Sequence, residues 1–247
     1  MNLPNSYLNI FSLNIEKDNH FSRIIPFFQQ KKPDVILLQE VFLEDIPFLE
    51  KELRMKSTFV PMKTLVYKED QKTLGVATFS ALPVKKAYHT YYFGTDENLP
   101  IGPEGNPFNT ARAILVTEIV KDNKTNRLIN THFTWTPDGT DSDQQHQDLQ
   151  NLLQLLAEIP SFILCGDFNA PRGKVIFNKI AAKYKDNIPS HIKTTIDKTL
   201  HRAGDLQIVV DGLFSTPNYS VKSVEVLEGL SDHCAISAKV FLEEDKE

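Results

Sequence analysis

Pro33-Asp34-Val35-Ile36-Leu37-Leu38-Gln39-Glu40-Val41 is the stretch on which the fold turns. Its unbroken apolar run is short, is introduced by Asp34 behind a proline, and is closed by a carboxylate at Glu40. Such a run reads as a buried strand. Immediately upstream, Phe21, Ile24, Ile25 and Phe28 recur at i, i+3, i+4 and i+7, the stripe of a helix that Lys32-Pro33 ends. Pro26 falls inside that stripe and predicts a kink or a late helix start. Before it, Tyr7 to Asn14 alternates, with Leu8, Ile10 and Ser12 set against Asn9, Phe11 and Leu13, and reads as a strand.

Downstream, Leu43 to Arg54 suits a short helix, with Pro47 tolerable only near its first turn. From Phe59 to Val120 the signals are those of strands: Thr64–Tyr67, Val76–Phe79, Lys85–Tyr92 and Ala111–Val120. Between the last two lies a Gly- and Pro-containing loop, Gly94 to Asn109, too long for a mere connector. Arg127 to Thr134 is another strand. Asp141 or Ser142 can cap a helix carrying Leu149, Leu152, Leu153 and Leu156, which Pro160 stops. Ser161 to Gly166 is a buried strand, and Val175, Phe177, Ile180 and Ala181 mark one more helix. Lys183 to Gly204 lacks periodicity and collects basic residues, and three strands follow: Leu206–Phe214, Tyr219–Leu227 and Cys234–Leu242. Many strands with helices between only some of them predict an α+β layered sandwich. No internal repeat, low-complexity tract or linker divides the chain, so residues 1–247 are read as a single domain.

Composition agrees. The 247 residues are 41% hydrophobic and 24% charged, as in ordinary globular proteins, which excludes disordered, collagen-like and disulfide-scaffold classes. The formal net charge of −5 means that any contact with a polyanion must come from a local patch or a metal. Two cysteines are too few to staple the chain, and Cys165 sits in an apolar run, as expected of a reducing compartment. No signal-peptide pattern opens the sequence, and no run reaches the roughly 18 apolar residues of a membrane span. A cytoplasmic protein without stable membrane association, and a monomer, is the expectation.

Polar residues gather at the ends of the apolar strands: Leu13-Asn14, Leu38-Gln39-Glu40, Asn130-Thr131-His132, Gly166-Asp167-Phe168-Asn169 and Val209-Val210-Asp211, with Ser231-Asp232-His233 ahead of the last strand. Taken singly, each has an ordinary reading. Asn14 is a turn residue, Glu40 a cap for Val41–Glu44, His132 a satisfied or exposed histidine, Asp211-Gly212 a turn or bulge. Gly166 to Pro171 could be an Asx-rich turn ahead of a helix. Together they would form an acidic pocket in which a divalent cation offsets the mutual repulsion.

In this order the set resembles the endonuclease/exonuclease/phosphatase superfamily, which includes deoxyribonuclease I-like and exonuclease III-like hydrolases. The resemblance rests on Ser12-Leu13-Asn14-Ile15, Pro33 to Val41, Thr131-His132-Phe133, Gly166-Asp167-Phe168-Asn169, Val210-Asp211-Gly212-Leu213-Phe214 and Ser231-Asp232-His233. It implies a four-layer α/β/β/α sandwich of two packed, mostly antiparallel sheets flanked by helices. It also implies a Mg2+-dependent (or Mn2+-dependent) phosphodiesterase. Glu40 would be the principal metal ligand, supported by Asn14 and Asp232. Asp167 would orient or deprotonate the attacking water, Asn169 would hold a phosphate oxygen, and His233, fixed by Asp211, would donate to the phosphate. His132 would assist the leaving group. Arg112 is similar in placement to an arginine that contacts phosphate in some members; on its own it reads equally as a surface salt bridge. Where many relatives have Asn-x-Asp, this chain has Asn14-Ile15-Glu16. Thr194-Thr195-Ile196-Asp197 resembles a Thr-Trp-Asp-Thr motif that has lost its tryptophan.

A nuclease is the first expectation. Lys183–Arg202 would supply cations beside the pocket, and Tyr91-Tyr92-Phe93 would either stack bases or simply pack. A phosphatase or sphingomyelinase-like phosphodiesterase of the same superfamily is the alternative. A non-catalytic binding module on this fold would be expected to lose one or more of Glu40, Asp167, Asn169 and His233, and all four are present.

Overall fold

The apolar run Val35–Leu38 opens a strand, β2 (Val35–Phe42), that lies parallel to β1 (Leu8–Asn14). A parallel pair needs a crossover, and helix α1 (Phe21–Lys31) supplies it. The computed structural model describes residues 7–102, 110–137 and 139–243, and in it this parallel pair forms the centre of a six-stranded sheet. After a 3-10 turn at Leu43–Asp45 come α2 (Ile46–Leu53), β3 (Lys56–Tyr67) and β4 (Asp70–Ser80). The chain then leaves to build a second sheet from β5 (Val84–Phe93), β6 (Arg112–Lys121), β7 (Lys124–His132), helix α3 (Asp143–Ala157), β8 (Ile163–Asp167), helix α4 (Val175–Ala181), β9 (Lys185–Asp186) and β10 (Asp211–Ser215). It returns through β11 (Tyr219–Leu227) and β12 (Ala235–Leu242), the latter pairing antiparallel to β1.

The strand orders are β11-β12-β1-β2-β4-β3 and β5-β6-β7-β8-β10-β9. They correspond position for position. Each sheet has a central parallel pair joined through a helix, β1–β2 or β7–β8, with antiparallel pairing elsewhere. Nothing in the sequence repeats to announce this equivalence.

Strand parity assigns the layers. Leu8, Ile10, Val35 and Leu37 of the first sheet meet Leu128, Ile163, Cys165 and Leu213 of the second in a shared core. The opposite faces are covered by helices. Ile24, Ile25 and Phe28 of α1 and Leu49 of α2 pack on Phe11, Leu13, Ile36 and Leu38. Leu149, Leu152 and Leu156 of α3 and Ile176 and Phe177 of α4 pack on Ile114, Val116, Ile129 and Leu164. The result is the α/β/β/α sandwich that the resemblance implied, its two sheets mostly antiparallel.

Local departures from expectation have physical causes. Helix α1 does not start late. It runs through Pro26, which is exposed, so the carbonyl of Ser22 that loses its partner faces solvent. Its end is set by Lys32 in the left-handed region, φ +48°, followed by Pro33. Ser142, not Asp141, caps α3 by accepting from the Gln145 amide. The expected strand Leu206–Phe214 is a ladder only from Asp211, because β8 ends at Asp167 and offers nothing further to pair with. Residues 103–109 of the expected 94–109 loop lie outside the described residues. Cys165 and Cys234 are buried free thiols, and burial pushes the Cys234 thiol up to about 12. Among the described residues no helix is long and apolar enough to cross a membrane.

Candidate active site

The same parity that fills the inter-sheet core delivers polar groups to one end of it. Asn14 follows Leu8 and Ile10 on the inner face of β1, and His132 follows Leu128 on β7. Asp167 follows Ile163 and Cys165 on β8, while Asp211 precedes Leu213 on β10. In the parallel pairs Asn14 stands opposite Gln39, and His132 opposite Asp167. Strand β10 begins where β8 ends, with Asp211 opposite Asp167. Two equivalent pairs of strands therefore point their C-terminal ends at one place, the location where open α/β sheets bind ligands.

Glu40 needs a special device to join them. By simple alternation it would share the outer face with Ile36 and Leu38. Instead the register shifts between Gln39 and Val41, and Glu40 adopts φ +57°. Val41 then resumes the outer face beside Ile36 and Leu38. The bulge turns Glu40 toward Asn14, a known use of such irregularities. The strand is not closed by this carboxylate, as the sequence suggested, but continues to Phe42.

Beneath this end, Gln39 and Asn130 join the sheets. Gln39 Nε2 donates to Asn130 Oδ1 at 2.8 Å, and Asn130 Nδ2 donates to the carbonyls of Leu38 at 3.0 Å and Ala77 at 2.9 Å. Both side chains are fully buried, so their pairing fixes how the two sheets sit against each other.

Asn14 is the hinge-point of the cluster. Its Nδ2 donates to Asp167 Oδ2 at 3.1 Å and to Glu40 Oε1 at 3.3 Å, placing one neutral amide between two carboxylates. Asp167 Oδ1 accepts from the Asn169 amide at 2.8 Å, while Oδ2 faces His132 Nε2 at 3.5 Å and His233 Nε2 at 3.7 Å. The latter two distances exceed hydrogen-bond length, so the carboxylate and the imidazoles face one another across a gap. Behind His233, its Nδ1 lies 2.9 Å from Asp211 Oδ2 and 3.1 Å from Oδ1.

Burial and charge set three distinct protonation tendencies. Burial opposes a charge on His233, but the carboxylates of Asp211 and Asp167 overcome it and hold the imidazole well above its ordinary pKa. For His132 burial prevails, with Arg112 adding to it, and the pKa falls, so this imidazole is neutral near pH 7. Asp167 is raised by burial and by Asp211, though His233 and His132 pull the other way. Glu40 is lowered: burial disfavours its charge, but Lys17, His132 and the Asn14 amide outweigh it.

The remaining expected residues lie around this centre. Arg112 is buried rather than in a surface salt bridge, and its Nη1 donates to the His132 carbonyl at 3.0 Å. Asn169 Nδ2 donates to the Phe133 carbonyl at 3.0 Å, which fixes the amide near Asp167. Asp232 accepts from Ser231 Oγ at 3.1 Å, and its carboxyl is pushed up to about 6 by burial and by the charges of Glu16 and Glu40. Glu16 itself pairs with His20 Nε2 at 2.9 Å. Tyr92 is buried with its ring 5.9 Å from Phe133 and its hydroxyl on Thr131, so it packs.

A divalent cation fits this chemistry. Glu40, Asn14 and Asp232 offer hard oxygen donors, and Asp232, raised chiefly by burial and further by Glu16 and Glu40, is a carboxylate whose charge a cation would stabilise. Asp167, Asp211 and His233 also bring donor atoms within 4.8 Å of one another. There, however, His233 Nδ1 is engaged by Asp211 and the ring favours its protonated form, which suits proton holding better than ligation.

Two contributors escaped the sequence reading. Lys17 pairs with Glu40 at 3.3 Å. Thr195 is fully buried; its Oγ1 accepts from the Val210 amide at 3.1 Å and the Asp211 amide at 3.2 Å, and its carbonyl accepts from Cys234 N at 2.8 Å. It seats both halves of the Asp211–His233 pair. The only signal for it was the altered Thr194–Asp197 motif.

A sequence profile described as the Endonuclease/Exonuclease/phosphatase family matches residues 7–233. No curated protein sequence matches the chain. Among solved structures, an endonuclease/exonuclease/phosphatase family protein from Bacteroides thetaiotaomicron superposes with a TM-score of 0.74 at 13% identity, covering 98% of this chain and 100% of that one. A mannosyl-6-phosphatase of B. thetaiotaomicron VPI-5482 gives 0.71 at 14% identity over 94% and 99% of the two chains. TDP2 of D. rerio, complexed with single strand DNA product, gives 0.70 at 15% identity over 95% and 99%.

Proposed function

The chain belongs to the endonuclease/exonuclease/phosphatase family and is a phosphoester hydrolase; from that premise we propose that it is a Mg2+-dependent phosphodiesterase acting on nucleic acid by in-line attack of water. One observation carries the reading: Asn14 holds Glu40 and Asp167 together while His132 and His233 face the same Asp167 oxygen. Glu40, Asn14 and Asp232 would hold the cation, with Mn2+ an acceptable substitute. When bound, it supplies charge neutralisation at the scissile phosphate.

The side chains divide the remaining work. Asp167, raised by burial, is a stronger base than an ordinary carboxylate and takes the proton of the attacking water. Asn169 presents its amide to a phosphate oxygen. His233 carries a proton to donate, and Asp211 fixes its ring and sustains its charge. His132, neutral, offers a hydrogen bond to the leaving oxygen, and Arg112 braces it from behind through the backbone. The new bond joins water oxygen to phosphorus, the bond to the leaving oxygen breaks, and one proton enters at Asp167 while one leaves from the imidazole side.

Nucleic acid is favoured by the cations at the rim. Lys198 and Arg202 follow Asp197, whose amide donates to the Asp232 carbonyl at 2.8 Å, so that end of the basic segment adjoins the site. Lys183 and Lys185 do not: Lys185 pairs with Ser215, at the end of β10 remote from Asp211. Cytoplasmic residence and a monomeric state complete the proposal.

The test is a substrate panel of abasic duplex, single-stranded DNA, RNA, sphingomyelin, inositol phosphates and a sugar phosphomonoester, each with Mg2+ and with EDTA. Metal-dependent cleavage of nucleic acid is expected, and Asp167→Ala and His233→Ala each lose at least about a thousandfold in turnover. Hydrolysis confined to phosphomonoesters or lipid overturns the nucleic-acid assignment, and near-wild-type rates in either variant overturn the residue roles.

A further inference from the structure

Lys17 sits on the side chain assigned above as the main cation ligand. Its Nζ lies 3.3 Å from Glu40 Oε2, and the two side chains are only 10% and 21% exposed. The other oxygen, Oε1, accepts from Asn14. This is not a long surface lysine resting on a nearby acid. Glu16, Lys17 and Glu40 have φ of +48°, +65° and +57°, so both partners stand on backbone that non-glycine residues seldom adopt. The turn is pinned by Asn14 Oδ1, which accepts from the Glu16 amide at 3.1 Å, and by Asn19 N donating to the Glu16 carbonyl at 3.4 Å. Two unfavourable local conformations thus bring one ammonium to one carboxylate at the heart of the site.

We propose that Lys17 is a built-in rival of the divalent cation at Glu40 and sets how tightly the site takes it. This rests on the reading of Glu40 as a cation ligand. A cation reaching Glu40 must displace the ammonium or share the carboxylate with it, and either course weakens binding. Where water is largely excluded, charges a few ångströms apart are poorly screened, so the penalty is substantial. The benefit is a site that keeps its carboxylate ionised and positioned with or without the cation, and whose occupancy follows the free cation concentration instead of saturating early.

The experiment measures Mn2+ binding to the full chain without substrate, from the paramagnetic resonance signal of free Mn2+, alongside thermal denaturation. Lys17→Met is expected to bind Mn2+ about tenfold more tightly than wild type, and Lys17→Arg to stay within about threefold of it. Equal or weaker binding by a folded Lys17→Met overturns the proposal. Should that variant not fold, Lys17→Gln, neutral yet able to donate to Glu40, is judged by the same two outcomes. Glu40→Gln separates the layers. If it loses Mn2+ affinity while Lys17→Met is unchanged, only the rivalry falls; if it binds as wild type, the assignment of Glu40 falls and takes the rivalry with it.

Discussion

Replacing Asn14 by aspartate tests the geometry at its centre, because it exchanges an N–H donor shared by two carboxylates for a third carboxylate. The new oxygen would stand about 3 Å from Asp167 and Glu40, where the amide nitrogen now lies 3.1 and 3.3 Å from them. At an effective dielectric constant of about 20, each such like-charge pair costs about 5 kcal/mol, and the two together exceed the stability of many domains. The chain has a cheaper course, which is to keep one carboxyl protonated so that its O–H replaces part of the lost donation. At pH 7, holding a proton on a group of ordinary pKa about 3.9 costs about 4 kcal/mol, which becomes the expected loss in Asn14→Asp. The sign follows from proton counts. Above about pH 4 the folded variant keeps a proton that its unfolded chain releases, so its deficit relative to wild type grows by about 1.4 kcal/mol per pH unit and fades toward pH 4. Urea denaturation of both proteins in EDTA between pH 4.5 and 8 measures this directly. A deficit that is flat with pH would refute the placement of the amide between two charges.

Two further outcomes follow from the same structure. Asp211→Asn removes the leading charge that raises His233, so the imidazole's pKa falls and the alkaline limb of the kcat/KM profile moves to lower pH; an unmoved limb tells against the pair. The stability arising from that pair in the wild type is fully present below the unfolded histidine's pKa of about 6.5 and is lost as pH rises through the higher folded value. Gly166→Ala introduces a Cβ 2.0 Å from the Thr131 carbonyl oxygen at φ +157°. Strands β7 and β8 must part, costing about 3 kcal/mol or more and shifting Asp167 against His132. A thermal midpoint and turnover like wild type would contradict that close approach.

What the sequence could tell depended on whether a feature was written in side-chain pattern or in backbone conformation. Alternation from Leu8 to Asn14 announced the strand and the face on which Asn14 lies, whereas the unbroken run Phe162–Cys165 announced a buried strand ahead of Asp167 but not the face on which that carboxylate falls. Helices falling between only some strands indicated a layered α+β sandwich, while its four-layer order came from the family resemblance and not from the pattern itself. Glu40 was singled out, yet its route into the site was invisible, since the bulge uses a glutamate at positive φ where a glycine would have signalled it. Lys17 was missed for the same reason, its placement being set by two consecutive left-handed residues in a polar turn. Thr195 acts through hydrogen bonds to backbone distant in sequence, which no local periodicity encodes. The strand expected from Leu206 failed because pairing depends on the neighbour's length, and β8 ends too soon.

Strand β12 lies between β11 and β1, and His233 stands at its threshold. During synthesis, then, the growing chain carries Asn14, Glu40, His132 and Asp167 well before the imidazole that completes them, and the first sheet stays open until β12 is in place. On the roles proposed above, a chain that stops short of β12 is therefore expected to lack both the edge that β1 pairs with and the imidazole held by Asp211. Closure of the first sheet and completion of the candidate site thus wait on the same late stretch of polypeptide.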